Sequence, residues 1–332
     1  MTRSMPSSLP DATDTPPLDV LAEHVRTHPN VQDKLDIHRA YEEPVGRTVS
    51  FEHPFFPDAA GEVRIGDDCA ALPNGHGDHL LLAAEGLLPE FVQEHPWFAG
   101  YSAVMVNLSD ICAMGGRPLA VADTLWIEDQ ADGEEVWAGM QAAAQAYGVP
   151  VVGGHTSYGC EDRQLGVSVL GQAQHLLTSY DATPGQVLLM AVDLDGAYFK
   201  EYPFWNASTD ASAERLQSLL PLMARVAENG SVTAAKDVSM GGLVGTLAMM
   251  MYTSDVGAEI RLETVPKPPD VAWEKWLVSF PSFGFLLTTT NDRVDDVRAH
   301  FHEHDVACAT IGDIRSEDGL WMGKDDERVR LF

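Results

Sequence analysis

Positive charge is what this chain has least of. Its 332 residues carry 21 Lys and Arg against 50 Asp and Glu, a formal net charge of −29. So few cations exclude a non-specific nucleic-acid binder, which needs them to displace counterions from phosphates. They also argue against an anionic membrane surface as partner. They do not exclude phosphate ligands, because a bound metal can supply the charge that side chains lack. An acidic excess also serves solubility, as in a high-salt habitat. Cysteine is scarce as well: Cys69, Cys112, Cys160 and Cys308 include no C-x-x-C pair, which excludes a zinc knuckle or thioredoxin-like motif and fits a reducing compartment. No run of about 18 apolar residues occurs, so no transmembrane helix is expected. The Ser-, Pro-, Thr- and Asp-rich stretch 1–17 has no apolar segment of the secretory kind. A cytoplasmic protein is expected.

Hydrophobic residues make up 45% of the chain, enough for two cores, and the length asks for two domains of about 150 residues each. A tail and helical arm over 1–50, a first domain over 51–178 and a second over 179–332 are expected. In the arm, residues 18–43 read as helix broken at Pro29, with Leu18, Val20, Leu21 and Val25 on one face. Strands are expected over 62–65, 79–84, 119–127, 149–152 (a short buried one ending at Gly153-Gly154) and 165–172. Helices are expected over 97–114 and 134–147. The second domain reads as strands over 186–192, 232–238, 283–289 and 306–311, with helices over 211–228, 242–252 and 293–302. Strands alternating with helices in both halves place the chain in the α/β or α+β class.

Four stretches carry chemistry. Gly66-Asp67-Asp68-Cys69 puts two carboxylates in a turn, where both can converge on a cation; a solvated acidic turn is the plain alternative. Asn107-Leu108-Ser109-Asp110-Ile111-Cys112 belongs to a helix apolar on every side, hence buried. Its Asp110 must be paired, protonated or metal-bound, with Arg117 as one candidate partner. Asn107 lies three residues earlier on the same face. Val152-Gly153-Gly154-His155-Thr156 runs a strand into two glycines that let a ligand approach the backbone; His155 alone is as well explained by a structural hydrogen bond. Asp237-Val238-Ser239-Met240-Gly241-Gly242 leads from a strand into a helix N-terminus, a natural phosphate seat, unless Ser239 only caps that helix. No Walker A loop is present. Cys69 and Cys112 sit in apolar or acidic surroundings, which disfavour a thiolate. His300, His302 and His304 end an exposed helix rather than forming a metal site, and Phe204-Trp205 reads as packing.

In this order and spacing the four stretches resemble the AIR synthase-like superfamily. It includes AIR synthase, formylglycinamidine ribonucleotide synthetase, thiamine-monophosphate kinase, selenophosphate synthetase and the hydrogenase maturation dehydratase. The resemblance covers residues 60–315. The Asp67-Asp68 and Asn107–Gly115 stretches are similar to thiamine-monophosphate kinase, Gly153-Gly154-His155-Thr156 to selenophosphate synthetase, and Asp237–Leu243 to formylglycinamidine synthetase. Phe280–Phe285 matches a late Gly-containing strand.

The resemblance implies a two-domain fold, in which an N-terminal domain pairs with its copy in a homodimer to close a β-barrel and a C-terminal α/β sandwich packs on it. It further implies a small-molecule substrate, with ATP and Mg²⁺ as cofactors, and phosphoryl transfer or ATP-driven activation as the reaction. Asp67, Asp68 and Asp110 would be metal ligands, joined by Glu85 and Asp237. Gly153, Gly154, Thr156, Asn107, Ser239 and Gly241 would line the nucleotide, and His155 is a candidate catalytic residue. Two departures matter: the kinase motif has Asp where Glu85 and His155 stand. Selenophosphate synthesis is disfavoured because the arm has Lys34 but no Cys before Cys69. A stand-alone AIR synthase-related enzyme is the expectation, with thiamine-monophosphate kinase and a non-catalytic nucleotide-binding regulator or scaffold as alternatives.

Overall fold

The computed structural model describes residues 15–36, 47–51 and 61–332. Residues 1–14 of the expected tail and 37–43 of the expected arm helix lie outside them. The arm forms α1 (Leu18–Thr27) and α2 (Pro29–Asp36), parted where Pro29 follows His28. The buried face of α1 is Leu18, Leu21, Ala22 and Val25, the i, i+3, i+4, i+7 set of a helix; Val20, expected on it, points to solvent.

A hairpin of β1 (Thr48–Phe51) and β2 (Gly61–Arg64) leads into a five-stranded sheet. Its strands are β3 (Ala70–Pro73), β4 (His79–Gly86), β5 (Arg117–Trp126), β6 (Val151–Ser157) and β7 (Gln164–Ala173), in the order β3-β4-β7-β5-β6. Three helices, α3 (Pro89–Glu94), α4 (Pro96–Ala113) and α5 (Gln130–Tyr147), belong to this unit. Leu81, Ala83, Val121, Leu125, Val167 and Val169 form the sheet's side of a core shared with Val104, Leu108, Val136 and Met140 of the helices. The helices meet backbone to backbone: a Cβ on Gly139 would lie 1.9 Å from the Trp97 carbonyl oxygen, and one on Gly100 2.1 Å from that of Val136. The sheet is antiparallel except for β5–β6, the parallel pair that α5 connects.

Strand β6 differs from its expectation. It is not short and buried but runs on through Gly153 and Gly154 as the sheet's edge, with Val152 67% exposed. An apolar run is expected to be a buried strand, yet among the described residues only one side of this one has a neighbouring strand.

The second unit is built on seven strands. These are β8 (Val187–Val192), β11 (Ala234–Asp237), β12 (Gly257–Arg261), β14 (Gly284–Thr289), β15 (Ala307–Arg315), β16 (Leu320–Lys324) and β17 (Glu327–Arg330), in the order β11-β14-β8-β15-β12-β16-β17. The short β9 (Ala197–Tyr198), β10 (Phe204–Asn206) and β13 (Phe280–Pro281) form a separate three-stranded patch. Its helices are α6 (Ala213–Leu219), α7 (Leu222–Glu228), α8 (Gly242–Ser254), α9 (Trp273–Trp276) and α10 (Val294–His302). The continuous apolar run of β8 is buried on both faces. Leu188, Met190 and Val192 meet α1 and α8, while Leu189 and Ala191 meet α7 and α10. The single helix expected over 211–228 is two, because Pro221 has no N–H to continue the ladder.

The result is a mixed α/β fold of two units. Among the described residues the five-stranded sheet is open and no closed barrel occurs. No helix among them is long and apolar enough to cross a membrane.

Candidate functional site

Helix α4 is buried on nearly every side because it lies between the units, packing on the first sheet and on β11 and α7 of the second. Its face with Ala103, Asn107, Asp110 and Met114 therefore meets other protein. Three chain segments converge there. The loop after β2 brings Asp67 and Asp68, α4 brings Asp110, and the end of β11 brings Lys236 and Asp237. One carboxylate oxygen each from Asp68, Asp110 and Asp237 lie within 4.8 Å of one another.

Asp67 stands behind this group. Its Oδ2 accepts the Ser179 N–H at 2.8 Å and its Oδ1 accepts the Asp68 N–H at 3.0 Å, which ties the loop to the junction of the units. The Lys236 ammonium donates to Asp68 Oδ1 and lies 3.9 Å from Asp67 Oδ1. Lys236 is only 2% exposed. Burial by itself would strip its proton, but Asp68, Asp67 and Asp237 outweigh that and raise its pKa.

Burial drives the carboxyls the other way. It pushes Asp237 up to about 8, with help from Asp68 and against Lys236 and Lys34. It pushes Asp67 up to about 6, with Asp68 adding and Lys236 opposing. Asp110 is raised by burial first, then by Asp237, Asp68 and Glu85. Glu85, at the end of β4, keeps a surface position, but its carboxyl is crowded by protein and by Asp68, and it too is raised. Cys69 and Cys112 are pushed up by burial and nearby acids, Cys112 to about 12, so neither is a thiolate at neutral pH.

The Asp237 strand leads into α8 as expected, but Ser239 does not cap that helix: Gly241 is its N-cap and no side chain caps it. Helix α2 of the arm covers the turn. The Lys34 Cγ lies 3.1 Å from where a Gly241 Cβ would be, and the Lys34 charge is felt by both Glu85 and Asp237. Asn107 donates from Nδ2 to the Ala103 carbonyl at 2.7 Å, and its Oδ1 is buried without a hydrogen-bond partner.

Gly153, Gly154, His155 and Thr156 are not brought to this place. They lie on β6, separated from Glu85 on β4 by two intervening strands, about 14 Å at the usual strand spacing. Arg117 pairs with Glu228, not with Asp110. The histidines at the end of α10 bind no common point: His300 Nε2 meets the Leu222 carbonyl and His302 Nε2 that of Cys308. Phe204 packs with Phe98 and Phe280, as its aromatic surroundings suggested.

Sequence reasoning missed two residues. Lys236 stands directly before the Asp237 stretch and was given no role; a lysine following Ala234-Ala235 in a strand pattern was the signal. Asp123 on β5 is buried beside Gly154 with neither carboxyl oxygen hydrogen-bonded. Burial raises its pKa.

The AIR synthase related protein N-terminal domain model matches residues 66–173, and the corresponding C-terminal domain model matches 183–321. The chain belongs to the AIR synthase related protein family. An uncharacterised protein of Synechocystis sp. is 44% identical to it over 261 residues, covering 78% of this chain and 81% of that one. A selenide, water dikinase of Sulfurovum sp. is 28% identical over 65% of each chain. A thiamine-monophosphate kinase of Rhodopirellula baltica is 31% identical over 50% of each. Two solved structures share the fold of this AIR synthase-related protein. Thermotoga maritima PurL complexed with ATP has a TM-score of 0.69 at 17% identity, covering 95% of this chain and 53% of that one. AaThiL complexed with AMPPCP and TMP has a TM-score of 0.60 at 21% identity, covering 81% and 92%. The chain spans about half the length of that PurL.

Proposed function

We propose that this AIR synthase-related protein is an ATP- and Mg²⁺-dependent enzyme that phosphorylates a small metabolite or activates it with ATP. The observation that carries this reading is the group of Asp68, Asp110 and Asp237, buried where the two units meet and beside the N-terminus of α8, which no side chain caps. The donors suit a hard cation: all are oxygens, and ligands around one Mg²⁺ lie about 3–4 Å apart, close to the spacing found. Bound there, Mg²⁺ would neutralise phosphate charge during transfer. The chain's own part is to hold and orient. Asp68, Asp110 and Asp237 are the ligands, Asp67 fixes their loop, and Glu85 faces the group from β4. The backbone at Gly241, at the N-terminus of α8, seats a phosphate, with Ser239 and Asn107 alongside. Dikinase and kinase relatives, and solved neighbours complexed with ATP or AMPPCP, support the reading.

In this reading the protein is a homodimer. Leu80, Leu82 and Leu170 stand on the sheet face away from the helices, 38%, 48% and 40% exposed. A copy laid on that face would cover them, and the β6 strand with Gly153, Gly154, His155 and Thr156 would then belong to a nucleotide site shared between copies.

Calorimetric titration with ATP tests the core of the proposal. Binding is expected with Mg²⁺ and not with EDTA, and Asp110→Asn should weaken it at least about tenfold, the loss of one charged ligand being worth upwards of 1.4 kcal/mol. Unchanged binding in the variant would sink the assignment.

A further inference from the structure

A buried cation already sits at this cluster. Among the described residues Lys236 heads the largest fully buried side chains, in a chain with more than twice as many acids as Lys and Arg together. Its ammonium is held by Asp68 and faces Asp67. Asp67 is otherwise spent on two backbone N–H groups, so it has little left for a metal. Asp68 faces both ways: it takes Lys236 on one oxygen and remains within the three-carboxylate group. A second observation points to a ligand beside that group. The buried Asn107 Oδ1 has no hydrogen-bond partner and sits one helical turn before Asp110, on the same face of α4.

We infer that Lys236 is a built-in cation of the site: it fills the position between Asp67 and Asp68, so that the cluster takes one divalent ion, on the Asp68–Asp110–Asp237 side, rather than two. This rests on the metal-site reading above and deepens it. Lys236 acts as a positioning residue. It fixes the Asp68 carboxylate from behind and supplies without a second metal the positive charge that four clustered aspartates demand. Two carboxylates around one fixed ammonium are stable when dry, whereas the same pair left without it must take up protons or another cation.

The test is a Mn²⁺ titration of the full chain at one fixed pH. The free-ion electron paramagnetic resonance signal counts the ions bound, with no need for turnover or substrate. The wild type is expected to bind one ion tightly. Lys236→Met, which keeps the length and removes the charge, is expected to bind a second ion, and to recover with Mn²⁺ the thermal stability it loses in EDTA. Lys236→Arg is expected to stay at one. Two ions on the wild type, or one ion at unchanged affinity on a folded Lys236→Met, would overturn the inference and leave the metal-site reading standing. Should Lys236→Met fail to fold, the wild-type count still decides. No ion on the wild type but one on Lys236→Met would mean that the ammonium excludes metal altogether, and the inference would fall. No ion on any of the folded proteins would remove the metal-site reading itself.

Discussion

A carboxyl group removed from water keeps its proton, and Asp237 is removed from water at the end of β11 with Asp68 beside it. Its folded pKa of about 8 stands above the ordinary 3.8, so between those values the folded, metal-free protein holds a proton that the unfolded chain has lost. The resulting stability is fully present below pH 3.8 and is lost as pH rises through about 8. In EDTA, the urea midpoint should therefore fall between pH 5 and pH 8.5, and Asp237→Asn should flatten the fall. An equal drop in both proteins would place its origin elsewhere. Lys236 and Lys34 limit the effect because both favour the charged carboxylate.

Helix α8 begins under a geometric constraint that its composition hides. Gly242 has φ +64°, and a Cβ there would sit 2.5 Å from the Val278 carbonyl carbon. No L side chain fits both conditions. Gly242→Ala should cost roughly 2 kcal/mol or more in a urea titration, from left-handed strain of about 1–2 kcal/mol plus overpacking. Gly245, one turn on, is a control. Its added Cβ would meet Lys34 at an ordinary 3.5 Å, so Gly245→Ala should be neutral or gain up to about 1 kcal/mol of helix propensity. If the two substitutions cost the same, the close approach at Gly242 is not what constrains the start of this helix. The gap matters to the site, since the same turn places the N-terminus of α8 just after Asp237.

At the scale of the molecule, helices cover one face of the five-stranded sheet and leave Leu80, Leu82 and Leu170 on the other. Apolar side chains gathered on one open sheet face are expensive in water and mark an interface. Sedimentation should find a dimer at micromolar concentration, and Leu82→Glu, which would bury a charge in that interface, should give a monomer with unchanged secondary structure. A monomeric wild type, or a dimer that tolerates the glutamate, would refute the face-to-face arrangement. The charge of −29 adds a general repulsion between copies, so the dimer should tighten as salt screens it.

Periodicity and turn residues were enough to place most elements. Helix α4 was legible because its apolar residues occupy every side, and β8 because six apolar residues run together. The strands β12, β16 and β17 were not, since their short mixed sequences become strands only by pairing with each other and with β15. The same division holds for the site. Asp68, Asp110 and Asp237 could each be singled out locally, as an acid pair in a turn, an acid in an apolar helix and an acid before a Gly-Gly turn. That these three come within 4.8 Å while Asp67 turns back to Ser179 was decided by the packing of α4 between the two units. Glu85 and β6 make the same point in opposite directions. One is carried to the carboxylates by β4 and the other is held away at the sheet edge, because strand order is a property of long-range pairing that no local pattern encodes. Lys236 is the clearest case. In sequence it is one lysine before an aspartate, and only the folded chain removes its surroundings' water and makes it the counter-ion of Asp68.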